Sequence, residues 1–66
     1  MQIKLNGETK DVDDGTTLLS LVEQLSLAPE RLAVELNQEV IRRAEWPEVK
    51  LSDGDRVEIV HFVGGG

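Results

Sequence analysis

The chain has no cysteine and no tyrosine, one phenylalanine, one tryptophan and one histidine, and its seven basic side chains are outnumbered by thirteen acidic ones. The missing cysteines exclude disulfides, zinc-thiolate centres and side-chain thiol chemistry together. A formal charge of −6 repels phosphate backbones and anionic lipid, so neither nucleic acid nor a membrane surface is an expected partner. No apolar run approaches membrane-spanning length, and Met1-Gln2-Ile3-Lys4 has a strand-like pattern without the layout of a signal peptide, which points to a cytoplasmic protein. Sixty-six residues form one small domain that buries only roughly 60% of its unfolded surface, too little to enclose a deep active site. Apolar residues at 39% and charged residues at 30% are ordinary for a globular chain, which should fold without metal or disulfide.

What is present is a regular alternation of strand and helix signals. Met1, Ile3 and Leu5 alternate with polar residues, and Asn6-Gly7 signals a two-residue hairpin turn. That turn pairs Leu5 with Glu8 and Met1 with Val12, placing Val12 on the core face. It turns Glu8 and Lys10 the same way, which suits an edge strand. Asp13-Asp14-Gly15 punctuates the chain before Thr16 or Thr17 caps a helix. Leu18, Leu21, Val22 and Leu25 line the helix's apolar face, and it should end near Ser26, ahead of Pro29. Leu32, Val34 and Leu36 alternate as a third strand, and Asn37-Gln38 turns into a short one at 39–41. Residues 42–48 read as a loop, with Trp46 held extended by Pro47. Val49 and Leu51 suggest a brief extended piece, and 52–55 has turn chemistry.

The final strand, read as 56–63, is apolar on both faces. Val57 and Ile59 form one set, and Val60 and Phe62 the other. Such a strand belongs at a sheet centre, beside the first. One helix can cover only one face, so Val60 and Phe62 are expected to meet partner proteins on the other, and Val63, next to them at the strand's end, is also expected to bind partners. The resulting fold is an α+β β-grasp roll, a mixed sheet with one main helix packed across one face. Residues 1–63 form the domain and 64–66 a flexible glycine tail. A terminal Gly64-Gly65-Gly66 carries no side chains and can thread a narrow channel, presenting the α-carboxylate of Gly66; the alternative is an end that is merely frayed.

Several stretches together resemble the ThiS family, the sulfur carriers of thiamine biosynthesis. They are Met1 to Gly7, Thr16 to Leu19, Ala33 to Asn37, the Arg43 to Trp46 loop, Asp53 to Ile59 and the terminal His61 to Gly66, and the likeness spans essentially the whole chain. It implies a ubiquitin-like fold whose C-terminal carboxylate is chemically activated. A ThiF-type adenylating enzyme would use Mg-ATP to form an acyl-adenylate on Gly66, and sulfur from a persulfide donor would replace AMP to give a thiocarboxylate. A ThiG-type thiazole synthase would then take the sulfur. Gly65 completes the family's Gly-Gly, and Gly64 adds reach. The carrier would be no enzyme itself, would bind no cofactor of its own and would be a monomer when free. With no cysteine present, no side-chain thiol could hold the sulfur.

Other readings remain open. The chain could carry sulfur for molybdopterin or cysteine formation, act as a ubiquitin-like protein modifier, or bind partners noncovalently. An RNA-binding β-grasp domain is disfavoured by the charge and by the lack of aromatics interleaved with basic residues. His61, at the end of the last strand, has no companion ligand or nucleophile and is read as a packing or hydrogen-bonding residue. The aspartates around Gly15 and Gly54 lack the alternating ligands of a calcium loop and are read as solvated turns. Trp46 is read as a lid on the edge of the core, and Arg42-Arg43 as a solvated basic pair. The terminal glycines precede no helix, so they cannot cradle phosphate.

Overall fold

In the computed structural model, which describes residues 1–61, β1 (Gln2–Leu5) turns at Asn6-Gly7 into β2 (Glu8–Asp11). Asn6 and Gly7 have φ of 50° and 85°, the left-handed pair that matches the twist of two antiparallel strands. Leu5 faces Glu8 and Gln2 faces Asp11. One residue further out, the Val12 N–H donates to the Met1 carbonyl and the Met1 amino group donates to the Val12 carbonyl, both at 2.9 Å. Val12 is buried as the register requires, and Lys10 is half-buried while Glu8 reaches solvent on an edge strand.

The helix α1 (Leu18–Gln24) is capped by Thr17, whose Oγ1 accepts from the Ser20 N–H at 3.1 Å. Thr16 instead donates its hydroxyl to the Asp13 carbonyl at 2.6 Å and is itself buried. Leu18, Leu21 and Val22 are fully buried against the sheet, and Leu25 is half-buried as the C-cap. Ser26 stops the helix in the left-handed region, with φ 58°, before a single 3-10 turn at Pro29–Arg31.

Next come β3 (Leu32–Leu36) and β4 (Glu39–Ile41), joined by Asn37-Gln38 with φ of 52° and 73°. The segment Arg43–Glu48 is a 3-10 helix with Pro47 inside it, which corrects the expected loop with an extended Trp46. The bias of a pre-proline residue toward extended dihedrals is worth little beside the burial of an indole. Trp46 is 1% exposed and its Nε1–H donates to the Ile41 carbonyl at 3.0 Å, so it is a core residue with a satisfied polar handle. The stretch 49–51 runs beside the helix start: Leu18 N–H donates to the Val49 carbonyl at 3.0 Å and Leu51 N–H to the Thr16 carbonyl at 2.8 Å.

The last strand, β5 (Arg56–His61), lies at the centre of a five-stranded sheet ordered β2-β1-β5-β3-β4. It pairs parallel with β1 and antiparallel with β3. The helix and Trp46 contribute to a single core with Ile3, Val34, Leu51 and Val57. This is the one-helix, mixed-sheet β-grasp roll that the order of elements predicted. The last two residues expected in the final strand, Phe62 and Val63, lie outside the described residues, as does the tail.

Candidate functional site

Three features fix β5, the strand that leads to the C-terminus. Asn6, at the β1–β2 turn, extends the parallel ladder with its side chain: the Ile59 N–H donates to its Oδ1 at 2.8 Å, and its Nδ2 donates to the Ile59 carbonyl at 3.4 Å. Asn37, at the β3–β4 turn, acts from the other side. It accepts the Arg56 N–H on Oδ1 at 2.9 Å and donates its own N–H to the Arg56 carbonyl at 2.8 Å. The turn at 52–55 anchors the start of the strand. Asp53 Oδ1 accepts the Gln2 N–H at 2.8 Å, while Asp55 accepts from Ser52 N–H at 2.7 Å and from Asn37 Nδ2 at 3.1 Å. The carboxylates of this turn are therefore taken up by backbone and amide donors, consistent with a structural turn and not a calcium loop.

The alternation along β5 separates its two faces. Val57 is buried and Ile59 half-buried toward α1, whereas Val60 is 55% exposed on the opposite, open face. Val60, expected on a partner-facing surface, lies exposed on this open face. Phe62, assigned to the same surface, Val63, also assigned to partner binding, and Gly64, Gly65 and Gly66, assigned to the reactive tail, lie outside the described residues. His61, read as a packing or hydrogen-bonding residue, is exposed at the end of β5.

Val40 was missed by the sequence reading. It is 69% exposed, and its pairing with Glu35, whose neighbour Val34 is buried, puts it on the same open face as Val60. The signal was available, because a two-residue turn at Asn37-Gln38 pairs Leu36 with Glu39 and so sets the parity of Val40. The clamping roles of Asn6 and Asn37 were also missed, since the sequence marked them only as turn formers. Among the described residues there is no cluster of side chains that could hold a metal ion, and no helix is long and apolar enough to cross a membrane.

A five-stranded mixed sheet with a parallel central pair, one helix across one face and an uncovered opposite face defines a ubiquitin-like β-grasp protein. A crystal structure of the thiamine biosynthesis protein ThiS from Geobacter metallireducens superposes with a TM-score of 0.86 at 36% identity, each chain being covered completely. The family model described as "ThiS family" matches residues 3–66, and the chain belongs to that family. Sulfur carrier protein ThiS of Bacillus subtilis is 42% identical over 97% of this chain and 98% of its own. A thiazole synthase of Magnetococcus marinus is 47% identical over the whole of this chain, which spans only 20% of that protein's length.

Proposed function

We propose that the chain is a sulfur carrier of thiamine biosynthesis, a co-substrate and not a catalyst, whose working group is the C-terminal carboxylate of Gly66. The observation that carries this reading is the end-to-end match to a protein named as a sulfur carrier. The names of the relatives support thiamine over molybdopterin or cysteine formation, and the match within a protein named thiazole synthase supports a ThiG-type enzyme as acceptor. Relatives that carry the segment in one chain with the synthase meet it without diffusion. In those relatives the ThiF-type adenylating enzyme is the partner left to be found by encounter, whereas a free carrier meets both enzymes by diffusion.

The chemistry follows from what a carboxylate cannot do unaided. Direct attack would have to expel oxide. In the proposed route the Gly66 carboxylate oxygen attacks the α-phosphorus of Mg-ATP and pyrophosphate leaves. The terminal sulfur of a persulfide then attacks the acyl carbon, and AMP leaves with the carboxylate-derived oxygen. A thiol attacking the distal sulfur of the resulting acyl disulfide releases the thiocarboxylate and a disulfide. The chain itself supplies the carbonyl and, through Gly64 and Gly65, an approach unobstructed by side chains. Acid, base and nucleophile come from the partners.

Incubation with a ThiF-type enzyme, Mg-ATP and a persulfide donor should raise the intact mass by one oxygen-to-sulfur exchange. An unchanged mass in the presence of an enzyme competent on its own carrier would reject the reading. Slower bands from isopeptide conjugates on denaturing gels would instead identify a protein modifier.

A further inference from the structure

The open face carries a basic pair that the tail chemistry does not use. Lys4 and Arg56 are directly paired across the parallel β1–β5 ladder. Their neighbours Ile3 and Val57 are buried toward the helix, so both cations project from the opposite face, where both residues are exposed. Two of the seven basic side chains of an acidic protein thus stand side by side, about 5 Å apart at the backbone.

Like charges on adjacent strands repel, and such a pair is usually offset by neighbouring acids. Here Glu58 stands two residues along β5 on the same face, yet neither cation has an acid within ion-pair distance among the described residues, where the only ion pair joins the Met1 amino group to Asp14 at 3.7 Å. Lys4 Nζ donates to the neutral Thr9 Oγ1 at 2.7 Å. Two shallow concavities meet at the pair. One, of about 260 Å³, is lined by Lys4, Thr9 and Arg56 together with Asp53, whose Oδ1 is occupied by the Gln2 N–H. The other, of about 150 Å³, is lined by Lys4, Arg56 and Glu58. The pair lies four residues before Val60 on β5, roughly 13 Å along the same face.

We propose that Lys4 and Arg56 form a second anchor point on the open face, receiving an acidic side chain of the adenylating enzyme while Val60 makes the apolar contact nearer the tail. This rests on the sulfur-carrier reading above. Charge complementarity argues for that occupant: a carboxylate completes the unpaired cations, and Arg56 can bind one bidentately. An enzyme met by diffusion gains from such a contact through faster encounter, since charges at an interface rim act mainly on association rate and its salt dependence.

The test compares adenylation kinetics of the wild-type chain with those of a Lys4→Glu/Arg56→Glu variant, using a ThiF-type enzyme and pyrophosphate release. The variant should raise KM on the order of tenfold at low salt with kcat unchanged, and the difference should shrink as salt is added. An Arg31→Glu/Lys50→Glu control makes the same change in net charge at exposed sites elsewhere. It should leave KM near the wild-type value. Equal KM for the wild type and the Lys4/Arg56 variant would overturn the proposal, as would an equal rise in the control. If thermal melting shows the charge-reversed variant unfolded, Lys4→Gln/Arg56→Gln replaces it under the same criteria. Sedimentation of the wild type at low salt provides a further arm: a dimer abolished by the Lys4/Arg56 changes would assign the pair to a second copy and overturn the proposal. Failure of the wild type to be adenylated would count against the sulfur-carrier reading, whereas an adenylated wild type indistinguishable from the variant rejects the anchor alone.

Discussion

Trp46 concentrates much of the stability of this small domain in one side chain. It is the largest fully buried residue, and it also satisfies the Ile41 carbonyl at the end of β4. Trp46→Ala should cost about 3–5 kcal/mol, a large part of the roughly 3–10 kcal/mol available to a domain of this size. Urea denaturation should show the midpoint moved to much lower urea concentration with the slope unchanged. Asn6 works through polar atoms alone, two of them bonded to Ile59, and it holds φ 50°. Asn6→Ala should lower stability by about 1–2 kcal/mol, from lost hydrogen bonds and a side chain ill-suited to left-handed dihedrals. Hydrogen exchange should locate the loss at the Ile59 amide. The sequence announced Asn6 as a turn former, but its bonds to a residue 53 positions away depend on the parallel β1–β5 pairing, which no local pattern encodes.

The elements divide into those set by their own residues and those set by contact. Helix α1 is of the first kind. Its apolar spacing and its threonine cap lie within the segment, and Thr17→Ala should cost about 1 kcal/mol, read as a fall in melting temperature of about 4–8 °C. The 3-10 helix at Arg43–Glu48 is of the second kind, formed because the buried indole needs that backbone path despite Pro47. Strand β5 combines both. Its central position follows from its two apolar faces, yet only the register with β1 and β3 shows which of its residues the helix covers. Val60→Asp, on the uncovered face, should change stability by no more than about 1 kcal/mol while weakening binding to the adenylating enzyme. A variant that unfolds would make Val60 a core residue.

For the molecule as a whole, the fold delivers a strand at the sheet's centre to the chain's end and leaves the adjoining face uncovered. Body and terminus should therefore be separable. Deleting Gly66, or adding one residue beyond it, should leave the melting curve unchanged and abolish the oxygen-to-sulfur mass shift. Retained sulfur transfer would refute the role given to the terminal carboxylate. The acidic balance of −6 belongs to this scale too, but the structure shows that the charge is not uniform. Two cations stand together on the very face left open.

The sequence by itself determined the roll, because alternation, helical spacing, Asn-Gly turns and an apolar final strand are local signals that agree with one another. Only the tertiary structure decided which residues lie beside one another across strands. Lys4 came beside Arg56, and Asn6 and Asn37 closed on β5. Each of these depends on register between segments far apart in the chain, and register is fixed by burying one face of the whole sheet at once.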